Sequence, residues 1–157
     1  MRYLGVDPGL RSTGWATLEP EGIRFGVVRC TRTDEYRIPA ILGYLPPPQD
    51  FDVVRVERMI YRGENSKGNL QGLLDLQLLA GAIGGRYSRA RGCDYGWLAP
   101  HEWKGSLPAS VLLQRLLSEH SQVLTHAQKI ELSTMPGKLD AAAAIGIVRF
   151  AAGLPLT

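Results

Sequence analysis

Leu4-Gly5-Val6-Asp7-Pro8-Gly9-Leu10-Arg11-Ser12-Thr13-Gly14-Trp15 decides how the chain is read. A short apolar run from Tyr3 to Val6 reads as a strand, and Pro8-Gly9 stops it directly after an aspartate. Trp15–Leu18 follows as a second strand. Pro20-Glu21-Gly22 marks a turn, and Ile23–Cys30 alternates as a third. Three closely spaced strands joined by tight turns predict an antiparallel meander.

The same reading continues outward. Ile38–Leu45 is expected to be a short helix ended by Pro46-Pro47-Pro48, and Asp52–Glu57 a β-branched strand with a carboxylate at its exit. Arg62–Gly68 reads as a polar loop. Leu70–Ile83 is the longest apolar segment, and its leucines and alanines cover nearly the whole helical circumference. A helix apolar all round is buried on more than one side. Either its own chain covers it completely, or a partner subunit covers one face. Cys93–Leu98 is expected to be a strand, and helices are expected over 108–120, 125–132 and 138–152. The layout is mixed α/β in a single domain spanning 1–157.

Composition narrows the function classes. With 157 residues, 45% hydrophobic and 21% charged, the chain has the profile of a globular domain. No apolar run reaches the roughly 20 residues of a membrane span. The opening residues lack the long apolar stretch of a signal peptide. Two cysteines are too few for a disulfide framework, so a reducing cytoplasm is the expected setting. Of eighteen basic residues fourteen are arginines, within a net charge of +3. That permits nucleic acid as a partner without requiring it.

Three acids stand at element ends: Asp7 and Glu57 at strand exits, Asp140 in the first turn of an alanine-rich helix. Each alone has an ordinary explanation. Asp7 caps a turn, Glu57 pairs with Arg55 or Arg58, or Asp140 complements a helix dipole. Taken together, clustered carboxylates repel unless a cation joins them. Magnesium or manganese suits oxygen donors, and a pair of such ions assists phosphodiester hydrolysis.

The opening run, with Val54-Arg55-Val56-Glu57 and Leu139-Asp140-Ala141-Ala142-Ala143-Ala144, resembles the motifs of RuvC-type Holliday junction resolvases. Pro100-His101-Glu102-Trp103-Lys104 is similar to the segment between them. The compact chain fits a phage version as well as a cellular one. The resemblance implies an RNase H-like fold with a mixed five-stranded sheet, three antiparallel strands first, and helices on both faces. It implies a magnesium-dependent endonuclease that nicks opposite strands of a four-way junction symmetrically. It also implies two ions per site, with Mn2+ substituting for Mg2+, held by Asp7, Glu57 and Asp140.

A homodimer would form through helix 70–83, and Leu73 and Leu76 are the positions at which a charge would test it. Tyr61 would stack on an unpaired base. Arg62, Asn65, Ser66, Lys67 and Lys104 would meet DNA phosphates. One departure concerns the place one turn before Asp140, where the family carries an acid or histidine. Here it is Gly137, and Lys138 beside it is a candidate to act in its stead. The alternatives are an RNase H-like nuclease for other branched DNA or for RNA, and a DNA-binding relative with impaired catalysis. An actin-like phosphate-binding fold needs about twice the length.

Overall fold

A computed structural model describes residues 1–58, 70–89 and 92–156. The three opening strands are β1 (Tyr3–Asp7), β2 (Ser12–Glu19) and β3 (Gly22–Arg29). They form the predicted antiparallel meander, with Asp7 opposite Gly14 and Ser12 opposite Arg29. Helix α1 (Arg37–Tyr44) and a 3-10 turn (Pro48–Asp50) lead to β4 (Val53–Glu57). Strand β4 lies parallel to β1, and β5 (Asp94–Leu98) lies parallel to β4. The sheet order is therefore β3-β2-β1-β4-β5. This is the expected mixed five-stranded sheet. Its parallel pairs require crossovers, and helical segments supply them.

Helix α2 (Leu70–Tyr87) separates β4 from β5 in the chain. After β5 come α3 (Pro100–Trp103), α4 (Ala109–Leu117), α5 (His126–Thr134) and α6 (Lys138–Ala151). The four-residue α3 has no counterpart in the expectations. Its single turn is too short for a periodic signal, and Pro100 reads equally well as the end of a strand.

Two apolar layers sandwich the sheet. On one face α6 lies across the strands, with every residue from Ala141 to Val148 buried, and α4 and α5 close over it. On the other face α1 and α2 cover Leu4, Val6, Val54 and Val56 through Ile41, Leu79, Ile83 and Tyr87. Burial of side chains the size of Ile83 or Leu79 stabilises by about 1.5–3 kcal/mol each.

The approach of α6 depends on missing side chains. A Cβ at Gly5 would sit 2.7 Å from the Ala144 carbonyl oxygen and 2.8 Å from the Val148 amide. A Cβ at Gly14 would collide with the backbone of Asp140 and Ala141. Glycines on the sheet and alanines on the helix thus set the helix down almost backbone to backbone.

Among the described residues, only one side of α2 is buried. Leu79, Ile83 and Tyr87 point inward and Leu76 packs beside them, whereas Leu74 is 50% exposed and Leu78 63%. No helix among the described residues is long and apolar enough to cross a membrane.

Candidate active site

Parallel pairing of β1 with β4 brings two of the acids together. Val6 pairs with Val56, so Asp7 and Glu57 end neighbouring strands at the same C-terminal end of the sheet. The third acid arrives from above. Gly14 stands beside Asp7 in the ladder, and the first turn of α6, carrying Asp140, rests on it.

The electrostatics bind the three into one cluster. The Asp7 carboxyl is pushed well above its ordinary pKa, first by burial, then by the negative charges of Glu57 and Asp140. Lys104 opposes that shift. Its ammonium lies 3.4 and 3.5 Å from the two Glu57 carboxylate oxygens. Glu57 is only 5% exposed, and its Oε2 accepts a hydrogen bond from the Trp103 indole Nε1 at 2.9 Å. Asp140 accepts a short hydrogen bond from the Ser12 hydroxyl.

The turn after Asp7 is secured by its own sequence. Thr13 Oγ1 donates to the Gly9 carbonyl at 2.8 Å and accepts from the Gly9 amide at 3.3 Å. The Thr-Gly pair therefore has two duties. Thr13 ties the Pro8-Gly9 turn, and Gly14 makes room for Asp140.

Lys138 is exposed, and its Nζ donates to the Ser133 carbonyl at 3.1 Å, at the end of α5. The cation that acts on Asp7 is Lys104. Gly137 caps α6 with a φ of 82°. A Cβ there would lie 2.6 Å from Ser12 Oγ and 2.8 Å from Val27 Cγ1, so no larger side chain fits. The anticipated DNA contacts Tyr61, Arg62, Asn65, Ser66 and Lys67 lie outside the described residues.

Two functional side chains escaped the sequence reading. Ser12 and Trp103 each bond an acid distant in the chain, and no local pattern announces such a partner. The neighbour Lys104 was the available signal for Trp103, which otherwise reads as core.

The donor set suits a hard divalent ion: carboxylate oxygens, crowded enough that their mutual repulsion raises Asp7. Among the described residues, no three acid, histidine or cysteine side chains are gathered into a ready-made cage. Magnesium keeps several waters and takes only one or two carboxylates, so its binding does not require a closed cage.

No protein-family model matches the chain. It is 35% identical over 63 residues to the crossover junction endodeoxyribonuclease RuvC of Rhodopseudomonas palustris, a stretch covering 40% of this chain and 29% of that protein. With the RuvC of Bradyrhizobium diazoefficiens it shares 40% identity over 50 residues, 32% of this chain and 22% of the relative. The matched stretches thus span less than a third of these relatives. Among solved structures, T. thermophilus RuvC in complex with Holliday junction substrate superposes with a TM-score of 0.55 at 18% identity, covering 94% of this chain and 90% of that one. The fowlpox virus Holliday junction resolvase gives 0.58 at 16% identity, covering 98% and 100%. The yeast mitochondrial Holliday junction resolvase gives 0.51 at 15%, covering 96% and 80%. The chain has the RNase H-like fold of these Holliday junction resolvases, and over its matched stretches its sequence is similar to RuvC.

Proposed function

We propose that this chain is a metal-dependent endonuclease that resolves four-way DNA junctions. The observation that carries this reading is the effect of Glu57 and Asp140 on Asp7: three acids from three elements act as one charge cluster where the central strands β1 and β4 end. Asp7, Glu57 and Asp140 would hold two magnesium ions between them, each ion taking one or two of the carboxylates. When bound, they supply a polarised water and neutralise charge on the leaving oxygen of the phosphodiester.

The remaining work belongs to the protein. Ser12 and Trp103 fix the orientation of Asp140 and Glu57 by donating to them. Lys104 offsets part of the cluster's negative charge and would meet a phosphate oxygen brought to the acids. Similarity to RuvC supports a branched DNA substrate, and the RuvC neighbour was solved with a Holliday junction bound.

Symmetric nicking needs two such sites. A second copy docking on the open face of α2, around Leu74 and Leu78, would supply them.

The test is a side-by-side digestion of four-way, flap, linear duplex and RNA–DNA hybrid substrates in magnesium. Paired nicks in opposite strands of the four-way junction are expected. Preference for the flap or hybrid substrate would assign another nuclease activity, and junction binding without cleavage would leave a DNA-binding relative.

A further inference from the structure

A groove of about 600 Å³ lies beside the β1–β2 turn, lined in part by Leu10 and Arg11, and none of Asp7, Glu57 and Asp140 lines it. Arg11, Arg29, Arg32 and Arg37 line it, with the hydroxyl residues Thr31 and Thr33 between them. These arginines come from three segments: the turn before β2, the end of β3 with the strap that follows, and the first residue of α1. The fold gathers them. Ser12 pairs with Arg29 across the β2–β3 ladder, and the amide of Cys30 donates to the Arg11 carbonyl at 3.1 Å. Ser12, whose hydroxyl donates to Asp140, directly follows Arg11 in the chain, so the groove-lining Arg11 is one residue from a side chain bonded to the acid cluster.

Gathering guanidinium groups opposes folding unless anions answer them. The protein answers only some. Arg32 forms a two-pronged bond to Asp34 at 2.9 and 2.6 Å, and Arg37 Nε donates to the Arg32 carbonyl at 2.5 Å. Asp75, on the opposite wall, accepts from the Gln71 amide at 2.7 Å. Arg11 and Arg29 are exposed, and among the described residues neither guanidinium has an acidic partner. Planar guanidinium groups held along a groove, interleaved with hydroxyl donors, match the phosphate oxygens of a nucleic-acid backbone.

We infer that this groove seats the sugar-phosphate backbone of the duplex arm beside the cleaved bond, with Arg11 and Arg29 each contacting a phosphate. The inference rests on the nuclease reading and adds the path the arm takes away from the acids. Phosphate contacts position without reading sequence, so the groove contributes equally to any duplex arm.

The test is salt-dependent binding of a fluorescent four-way junction and of a plain duplex, in calcium to hold the acids without turnover. Wild type, Arg11→Ala/Arg29→Ala, Arg11→Lys/Arg29→Lys and Arg24→Ala are compared. Arg24 is the control, because it sits at the far end of the β2–β3 hairpin, paired with Glu19. Each phosphate contact contributes about 0.9 to the slope of log affinity against log salt. The alanine pair is expected to lower that slope by about 1.8 on both DNAs, with its melting temperature unchanged. The lysine pair should retain the slope, since it keeps the charge. An unchanged slope in the alanine pair, or an equal fall in Arg24→Ala, would overturn the inference. A wild-type protein that binds neither DNA would instead defeat the nuclease reading itself, a result distinguishable from both.

Discussion

Gly14 stands opposite Asp7 in the β1–β2 ladder, and the space left by its absent side chain is filled by the backbone of Asp140. Two of the three acids are thus brought together by a residue with no chemistry of its own. Adding a methyl group at this position would press on the Asp140 carbonyl and the Ala141 amide, neither of which can swing aside. Gly14→Ala is expected to cost about 1–3 kcal/mol in urea denaturation, as overpacking does. It should also lower cleavage about 10²-fold by displacing Asp140, an effect of the size a 1 Å misplacement brings. A stable variant with full activity would show that α6 is not held by this contact.

The raised pKa of Asp7 has a consequence for stability. Without metal, the folded protein keeps this proton at a pH where the unfolded chain has released it. Its contribution to stability is therefore present at low pH. It is lost as pH rises from the ordinary carboxylate value of about 3.9 through the raised folded value. Asp7→Asn removes the buried charge, so in chelator at neutral pH the variant should melt higher than wild type. Magnesium should raise the melting temperature of wild type and leave the variant unmoved. The checking measurement is thermal melting of both proteins from pH 4 to 8, with magnesium or with chelator. A variant that melts lower than wild type at neutral pH in chelator would contradict the electrostatic account.

The two lysines near the acids make different predictions. Lys104 contacts Glu57 and acts on Asp7, whereas Lys138 is bonded to the Ser133 carbonyl at the end of α5. Lys104→Ala should lower the single-turnover cleavage rate by about 10²-fold, in the range of losing one electrostatic stabiliser. Lys138→Ala should remain within about threefold of wild type, as exposed charges usually do. The reverse ranking would mean that Lys138 turns toward the acids when DNA is bound.

Which face of α2 is open bears on assembly. Leu76 packs within its own chain, so a charge there tests folding rather than association. Leu74 and Leu78 are the exposed pair. Leu74→Glu/Leu78→Glu is expected to convert a dimer into a folded monomer, as read by sedimentation, with paired nicking replaced by single nicks. A wild-type protein that sediments as a monomer under cleavage conditions would remove the dimer from the account.

Much of this architecture was readable in advance because its signals are local. Strand exits marked by Pro8-Gly9, a β-branched run ending at Glu57 and an alanine-rich helix opening at Asp140 all announce themselves within a few residues. What stayed hidden spans long sequence distances. Trp103 bonds Glu57 across 46 residues, and Ser12 bonds Asp140 across 128. Neither pairing leaves a periodic trace. The leucine-rich face of α2 was opaque for a different reason. With apolar residues on all sides, a helical wheel has no contrast to say which side faces inward. Lys138 shows the same limit: proximity to Asp140 in sequence says nothing of where a long, exposed side chain finds its partner, and its Nζ is bonded to the Ser133 carbonyl.

The most direct test of the central claim is single-turnover cleavage of a four-way junction in magnesium by Asp7→Asn, Glu57→Gln and Asp140→Asn, with binding measured alongside. Each acid is held by a different element, and the proposal places all three on one site, so each variant should lose cleavage essentially completely while binding the junction as tightly as wild type or more so. A single-acid variant that cleaves at near the wild-type rate would contradict the claim that Asp7, Glu57 and Asp140 form one catalytic centre.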